Sequence, residues 1–450
     1  MALRFNAGFG GGRPLELSQF QTLRSLTPDG RYLFTTRIAR LFAYGFLSVI
    51  LVLYLARAGL KETQIGLLLT LTLIGDTLIS FWITTSADRI GRRRMLILGA
   101  VLMIFAGVLF AMTQDFVLLL VAATIGVISP SGYEVGPFLS IEQAALSQIV
   151  PNEKRTQVFA WYNLVGSFTT ALGSLAGGVL VQALQGVGIN PLGSYRAVVI
   201  GYAVMGLILA MLFTRLSSTI EAPRTADPPD SSQKPKTLFG LHRSRGVVFK
   251  LSALFSIDAF AGGFVLQSLV AYWFNVRFNA EPALLGSIFF GANILAGISA
   301  LGAARVAARI GLIRTMVFTH IPSNVLLMLV PLMPNLPLAI TVLLMRFSIS
   351  QMDVPARQSY TMAVVSPDER SAAAGVTGIA RTTGSSLSPV VTGPLLGNPA
   401  LLGLPFLLSG GLKILYDLLL YRSFRSIKPP EEVPPPIARK LPDTSPGSSG

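Results

Sequence analysis

Cysteine is absent from the 450-residue chain, and histidine occurs only twice, as His242 and His320. The chain therefore holds no disulfide, no thiolate metal site and no cysteine nucleophile, and two histidines are too few for a histidine-rich metal site. The sequence also lacks a nucleotide-binding loop of the form G-x-x-x-x-G-K-S/T and a serine–histidine pairing at helical spacing. It thus predicts no metal and no other cofactor, and it favours a protein that is not an enzyme.

Charged residues make up only 13% of the chain, about half of the share usual in soluble proteins, whereas hydrophobic residues make up 52%. The mean hydropathy is +0.62, and apolar runs of the roughly 20 residues needed to cross a bilayer recur along most of the sequence. These runs leave little room for a separate soluble domain. The sequence therefore predicts a membrane protein.

Twelve apolar runs are long enough to span the membrane as helices, and we number them segments 1 to 12. Segments 1 to 6 are predicted at residues 33–56, 63–87, 94–112, 116–149, 156–181 and 196–216. Segments 7 to 12 are predicted at residues 247–274, 282–308, 312–333, 337–365, 371–394 and 401–423. The predicted fold class is an all-α membrane protein with twelve transmembrane helices in two six-helix bundles.

Stretches rich in proline and polar residues divide the chain around these helices. The predicted order is a cytoplasmic N-terminal segment (1–32), a six-helix bundle (33–216), a cytoplasmic linker (217–246), a second six-helix bundle (247–423) and a disordered cytoplasmic tail (424–450).

Lysine and arginine outnumber aspartate and glutamate by 36 to 21, a formal net charge of +15. One alternating set of short connections holds Arg89, Arg92, Arg93, Arg94, Lys154, Arg155, Arg305, Arg309, Arg314 and Arg370, and the other holds Arg57, Lys61, Arg196 and Arg277. Because the richer set is expected in the cytoplasm, this distribution favours membrane topology and contacts with anionic lipid over nucleic-acid binding. It predicts a multi-pass protein of the plasma (inner) membrane with both termini cytoplasmic.

Two short motifs occur once in each half at nearly equal spacing. Residues 87–91 read Ala-Asp-Arg-Ile-Gly and residues 307–311 read Ala-Ala-Arg-Ile-Gly, an offset of 220. Residues 151–155 read Pro-Asn-Glu-Lys-Arg and residues 367–370 read Pro-Asp-Glu-Arg, an offset of 216. Two matches at nearly the same offset indicate a duplicated six-helix unit, so the two bundles are expected to be pseudo-symmetric.

The loop after segment 2, residues 87–94, reads Ala-Asp-Arg-Ile-Gly-Arg-Arg-Arg. It resembles the G-x-x-x-D-R-x-G-R-R signature of the major facilitator superfamily, except that Thr84 replaces the first glycine. The resemblance covers roughly residues 33–423 and implies a monomeric secondary carrier of a small molecule that works by alternating access.

The same resemblance implies a cytoplasmic gating motif, whose members here are Asp88, Arg89, Gly91 and Arg92. Asp88 is expected near the positive N-terminal end of segment 11, around Ser371, while the arginines bind lipid phosphates and cytoplasmic carboxylates. These contacts would hold the cytoplasmic side closed.

Segment 5 contains Gly173, Gly177 and Gly178, which partly resemble the glycine-rich segment of drug and proton antiporters in this superfamily. Ser174 stands where that segment usually has proline. Small residues also let helices approach closely in lipid, so a packing face is the alternative interpretation.

Ionisable residues inside transmembrane helices usually face a cavity and mark a substrate or proton pathway. Asp76 in segment 2 and Arg381 in segment 11 lie at about the same depth, near ~17 Å from the cytoplasmic end. In the family fold these helices meet across the two halves, which makes an Asp76–Arg381 ion pair a candidate interface gate.

A second set of buried charges is predicted to form the proton-coupling site or the substrate cavity: Glu134, Glu142, Asp258, Asp353, Arg357 and Arg40. The resemblance places segments 1, 4, 7 and 10 around the central cavity. Glu142 and Arg357 precede matching prolines by nearly equal distances, so an ion pair between them across the cavity is expected. Prolines and glycines also predict a break in segment 4 at 129–137 and a kink in segment 10 at 353–355.

Other charged groups within the helices admit plainer interpretations. Lys413 and Asp417 are spaced i, i+4 and are expected to satisfy each other. His320 precedes a proline and is expected to serve packing. Arg346 lies near the end of segment 10 and suits either the cavity or snorkelling to the interface.

The partial antiporter motif and the buried carboxylates favour proton-coupled efflux of a small organic or toxic solute. Proton-coupled uptake of a small anionic nutrient is the first alternative, because several arginines lie within the helices. A sensor or scaffold that keeps the carrier fold without transporting is the second.

Overall fold

The computed structural model describes residues 26–134, 136–221, 241–366 and 369–427, and these residues form helices and loops with no β-strand. Most of the predicted N-terminal segment, linker and tail lie outside the described residues.

The helices of the first half follow the predicted order. They are Pro28–Ser48 and Leu51–Arg57 (segment 1), Glu62–Ile90 (2), Arg92–Met112 (3), Phe116–Ile125 and Phe138–Ile149 (4), Asn152–Gly186 (5) and Pro191–Thr214 (6). Those of the second half are Arg245–Gly263 and Gln267–Phe278 (7), Pro282–Ile310 (8), Leu312–Leu329 (9), Leu336–Phe347 and Asp353–Ala363 (10), Arg370–Ser386 and Ser388–Leu396 (11) and Leu404–Phe424 (12).

Eight spans in the described ranges are long and apolar enough to cross a membrane, and the two helices of segment 1, bent by 44°, make a ninth. Segments 4, 10 and 11 are each built from two shorter helices. Within the described ranges, the protein is an all-α membrane protein whose twelve segments form two pseudo-symmetric bundles.

The break in segment 4 lies between Ile125 and Phe138, where the sequence concentrates glycine and proline. Gly132 and Gly136 have φ of +73° and +79°, a conformation that residues with a Cβ rarely adopt. The break places Glu134 on an irregular loop within the bundle. Segment 10 is interrupted just before Asp353, close to the predicted kink.

Glycines set the distance between several pairs of segments, because a Cβ at these positions would meet a neighbouring backbone. Gly173 and Gly177 of segment 5 face Phe42 and Phe46 of segment 1. Gly178 instead faces segment 8, where an added Cβ would lie 2.9 Å from Gly286 Cα. These three glycines therefore serve helix packing in this structure.

The second half repeats these contacts at equivalent places. Gly384 of segment 11 faces Ser256 of segment 7, as segment 5 faces segment 1. Gly66 of segment 2 faces segment 11, where a Cβ would lie 3.1 Å from Gly393 Cα. Segments 2 and 11 and segments 5 and 8 thus form two related interfaces between the halves.

The halves close on each other at one end. We call the end that carries Pro28, Thr214 and Arg245 the linker end, and the opposite one the far end. Hydrogen bonds toward the far end join the halves: Tyr272 to Glu62 (2.8 Å), Val390 N–H to Thr70 (2.9 Å), Gln182 to Glu281 (3.0 Å), and Gln267 to Ser48 (2.8 Å) and Ser174 (3.1 Å).

Two glycines nearer the linker end have open surroundings. Gly375 and Gly378 lie in the part of segment 11 nearer this end, and no described atom lies within 4 Å of a Cβ built at either. The hydrogen bonds between the halves therefore close the central space toward the far end.

Carboxylates cap two helices at the linker end. Glu221 accepts hydrogen bonds from the backbone N–H groups of Arg92 (2.6 Å) and Arg93 (3.3 Å) at the start of segment 3. Glu369 accepts from those of Arg243 and Ser244, both at 2.8 Å, before segment 7. Although burial opposes it, hydrogen bonding to residues 242–244 lowers the pKa of Glu369 to about 2, so this cap is ionised at neutral pH.

Candidate functional site

The two halves enclose a cavity of about 380 Å³, lined by the break of segment 4 and by segments 2 and 7 to 12. Its volume falls in the range of pockets that hold small organic molecules. The charged side chains that line it are Asp76, Glu134, Asp258, Arg346, Arg381 and Lys413. Both halves therefore contribute ionisable groups to one cavity.

Segments 1 and 4 hold a cluster of buried charges that we call the N-half cluster: Arg37, Arg40, Glu134 and Glu142. Arg40 donates two hydrogen bonds to Glu142, Nη1 to Oε1 and Nη2 to Oε2, both at 2.7 Å. Glu134 accepts from Arg37 Nη1 at 2.6 Å and from Arg40 Nη2 at 2.9 Å. Two positive and two negative charges balance within this half.

Glu142 has two further partners, the hydroxyls of Thr36 (3.0 Å) and Tyr162. Glu142 and Arg40 are both 0% exposed and do not line the cavity, whereas Glu134 does. The cluster thus stabilises the first half away from the cavity, and only the carboxylate of Glu134 reaches the cavity wall.

Asp258 is the centre of a second set of charges, the C-half cluster: Asp258, Asp353, Arg357 and Lys413. Lys413 Nζ donates to Asp258 Oδ1 at 2.7 Å, and Arg357 Nη1 donates to Oδ2 at 2.9 Å. Arg357 Nη1 also lies 3.3 Å from Asp353 Oδ2. These contacts tie segments 7, 10 and 12 together, and their charges again balance within one half.

His320 and Asp417 form a polar pair beside this cluster, and the pair corrects two expectations. His320 Nδ1 lies 2.9 Å from Asp417 Oδ1, and Asn324 donates to Asp417 Oδ2 at 3.3 Å. Lys413 therefore pairs with Asp258 and not with Asp417, although the i, i+4 spacing allows the latter. His320 links segments 9 and 12 by a hydrogen bond in addition to packing.

The two ion pairs predicted across the halves are absent from the described residues. Arg357 and Glu142 each pair within their own half, as described above. Arg381 Nη1 lies 3.8 Å from Asp258, and Asp76 accepts a hydrogen bond from Ser80 at 3.4 Å. Equal depth correctly places Asp76 and Arg381 on one cavity wall, but it does not bring them into contact.

The loop between segments 2 and 3 also departs from its expected contact. Asp88 binds Arg92 Nε at 2.8 Å and its side chain is 65% exposed, so it does not cap segment 11 here. Arg92 reaches Gln148 (2.9 Å) and the carbonyl of Ile220 (3.0 Å). Gly91 has φ of +120°, which explains the need for glycine, and Arg89 is exposed.

The sequence and the fold match one family of membrane carriers. The model of the Major Facilitator Superfamily matches residues 33–389. The chain belongs to the major facilitator superfamily. Superfamily members are secondary carriers that move small molecules across membranes. The family match therefore supports a secondary carrier.

A relative in yeast gives no information on the chemical class of the substrate. The chain is 31% identical over 433 residues to the uncharacterized membrane protein YJR124C of Saccharomyces cerevisiae, covering 91% of this chain and 96% of the yeast protein.

Solved structures with the same fold are more distant in sequence. The nucleoside transporter NupG has 13% identity and a TM-score of 0.68, covering 89% of this chain and 100% of NupG. A D-xylose–proton symporter has 15% identity and a TM-score of 0.68, covering 87% and 97%. A bacterial homologue of the human lysosomal transporter Spinster, in an inward-facing state, has 16% identity and a TM-score of 0.64, covering 92% and 96%. These likenesses show the fold alone.

Sequence reasoning missed Arg37 and the partner of Lys413. Arg37 lies one turn before Arg40, and this i, i+3 spacing places both guanidinium groups on one helix face. Lys413 carried no comparable signal, because its partner Asp258 is 155 residues away.

Proposed function

We propose that the protein is a proton-coupled secondary carrier whose small organic solute binds in the central cavity. The observation that carries this proposal is the cavity itself, which receives charged side chains from both halves of a duplicated unit and is closed toward one end. Alternating access needs this geometry, because rocking the halves about a midplane site opens it first to one side and then to the other.

Asp258 is the group that we propose for proton coupling. It lines the cavity and binds Lys413 and Arg357 at the same time. Its two cationic partners favour the ionised carboxylate, so Asp258 would take up a proton only when these ion pairs open. The proton would then keep segments 7, 10 and 12 less tightly connected. Protonation at the solute site would therefore change the packing of the second half, which is how a carrier links a proton to a conformational step.

The direction of transport receives no support from the glycines of segment 5. Gly173, Gly177 and Gly178 pack against neighbouring backbones, and the second half repeats that packing. The sign of the change in lumenal pH distinguishes proton symport from proton exchange, which an inward proton gradient would drive as uptake and as export of the solute.

The first test measures lumenal pH in proteoliposomes while candidate solutes are added. We expect one class of solute to change the lumenal pH in the wild type, with acidification for symport into the lumen and alkalinisation for exchange. The Asp258→Asn variant is expected to lose at least about 90% of this signal because it cannot carry the proton.

Asp115→Asn is the matched control, since Asp115 is an exposed N-cap whose side chain accepts from Leu118 N–H at 3.0 Å, a role that asparagine also fills. The double variant Asp258→Asn with Lys413→Met keeps the buried charge balanced if the single variant does not fold. A pH signal that survives in both Asp258 variants would contradict the assignment.

A further inference from the structure

Two arginines on the cavity wall have unused hydrogen-bond donors. Arg346 of segment 10 makes no ion pair with any residue that the structure describes, and its buried Nε has no partner there. Arg381 of segment 11 has the same deficit at Nη1, which lies 3.8 Å from Asp258, too far for a hydrogen bond. Its side chain is 36% exposed. Both residues line the same cavity, and neither guanidinium group makes a hydrogen-bonded ion pair with a described residue.

The other charges around the cavity are already paired. Glu134 is held by two arginines of the N-half cluster, and Asp258 and Lys413 are held within the C-half cluster. Asp76 remains, bound only to neutral partners such as Ser80. The positive charges of Arg346 and Arg381 therefore exceed the negative charge of Asp76 by one. A solute with one negative charge would balance this difference.

The rest of the wall is mixed, with more apolar than polar surface and with hydroxyl and amide side chains such as Thr77, Gln267 and Gln351. Its hydrophobic members include Leu73, Val265, Leu266, Val270, Phe289, Leu327, Leu343 and Phe347. The apolar part of this surface suits a carbon skeleton that is attached to the charged group of a solute.

This inference rests on the proposed function. We propose that the solute is a small organic anion whose carboxylate or phosphate group binds Arg346 and Arg381 and whose apolar body packs against the cavity wall. Guanidinium groups suit this role because their planar donors match the geometry of an oxyanion and form charge-assisted hydrogen bonds. In a site of low dielectric, those bonds supply most of the discrimination against a neutral analogue.

The test compares two anionic aromatic ligands with a neutral isostere of one of them by thermal shift of the purified full chain in detergent. Benzoate, phenyl phosphate and the neutral benzamide are the probes. We expect either anion to raise the apparent Tm and benzamide to leave it unchanged, because a ligand that binds the folded state stabilises it. The larger of the two anion shifts identifies the preferred headgroup.

Arg346→Gln and Arg381→Gln are each expected to weaken anion binding by about 10- to 100-fold, the cost of losing one charged hydrogen-bond donor group. Arg422→Gln, at an exposed position of the linker end, is the matched control and is expected to bind as the wild type does. Arg346→Lys and Arg381→Lys keep the positive charge and provide folded comparisons if a glutamine variant is unstable.

Equal shifts with benzoate and benzamide, no shift with either anion, or anion binding that survives both glutamine substitutions would overturn the assignment. Binding is read without transport, so its result is separate from that of the proposed function. Anion binding without solute flux or pH change would sustain the site and contradict the carrier. Proton-coupled flux of a neutral solute, at an unchanged rate in both arginine variants, would support the carrier and contradict the anion site.

Discussion

Glu142 shows how a charged residue inside the membrane can be structural. Arg40 binds it with two hydrogen bonds, and the hydroxyls of Thr36 and Tyr162 complete its surroundings. Because the residue is fully buried and lies behind the cavity, its charge serves the ion pair and has no direct access to solute.

We expect Glu142→Gln to lower the free energy of unfolding by about 3 to 5 kcal/mol, since it removes one partner of a buried ion pair. The apparent Tm in detergent measures this loss, and the affinity of the folded fraction for solute should stay unchanged. The double variant Arg40→Met with Glu142→Met restores charge balance and should recover most of the stability. A Glu142→Gln protein of normal Tm that no longer binds solute would show that this interpretation is wrong.

At this scale the sequence predicts which charges are buried better than it predicts their partners. Asp258, Glu134 and Glu142 stand out because each lies in an apolar run. Depth along a helix gives one coordinate only, and the rotation of each helix about its axis gives the other. That rotation depends on packing between segments. Residue spacing alone therefore does not determine whether Asp76 faces Arg381 or whether Glu142 faces Arg357.

Among the elements, segments 2, 5, 8 and 11 determine how closely the halves meet. Gly178 and Gly286 touch backbone to backbone in one interface, and Gly66 and Gly393 do so in the other. Each contact lies toward the far end, where the structure is closed. These glycines therefore stabilise the far-end-closed state specifically.

Gly178→Val should weaken this closure, because its side chain would overlap segment 8. Overpacking typically costs about 1 to 3 kcal/mol, which corresponds to a roughly 5- to 150-fold shift in a two-state equilibrium. Ser174, which is 0% exposed, reports the change when replaced by cysteine and labelled with a maleimide. Labelling should rise in the Gly178→Val background.

Gly186→Val is the matched control, because a Cβ there meets no described atom within 4 Å. Labelling of Ser174→Cys that is equal in the wild-type, Gly178→Val and Gly186→Val backgrounds would mean that this contact does not hold the far end closed.

Element boundaries were predictable where the sequence contains helix breakers. The break in segment 4 coincides with a run of glycine and proline, and so was expected. The bend of segment 1 falls at Val49 and Ile50, which carry no such signal. It arises from tertiary packing, which a single sequence does not reveal.

For the whole molecule, sidedness follows from charge and is open to a direct test. The linker end carries most of the loop arginines, so we propose that it faces the cytoplasm. The absence of cysteine makes any introduced thiol the sole label site in the chain.

Val187→Cys at the far end should react with a membrane-impermeant maleimide in intact cells, since Val187 is 77% exposed. Ser423→Cys, exposed in the last turn of segment 12, should react only after permeabilisation. The unsubstituted chain sets the background. Reaction of Ser423→Cys in intact cells would reverse the proposed orientation.

The two charge clusters differ in the order in which the ribosome delivers their members. Every residue of the N-half cluster is made before segment 5, so its charges can neutralise one another while the second half is still unmade. Asp258 precedes Lys413 by 155 residues, about 8 to 30 s of synthesis at roughly 5 to 20 residues per second. During that interval the nascent second half holds a carboxylate without its lysine, and its insertion is complete only when the last helix arrives.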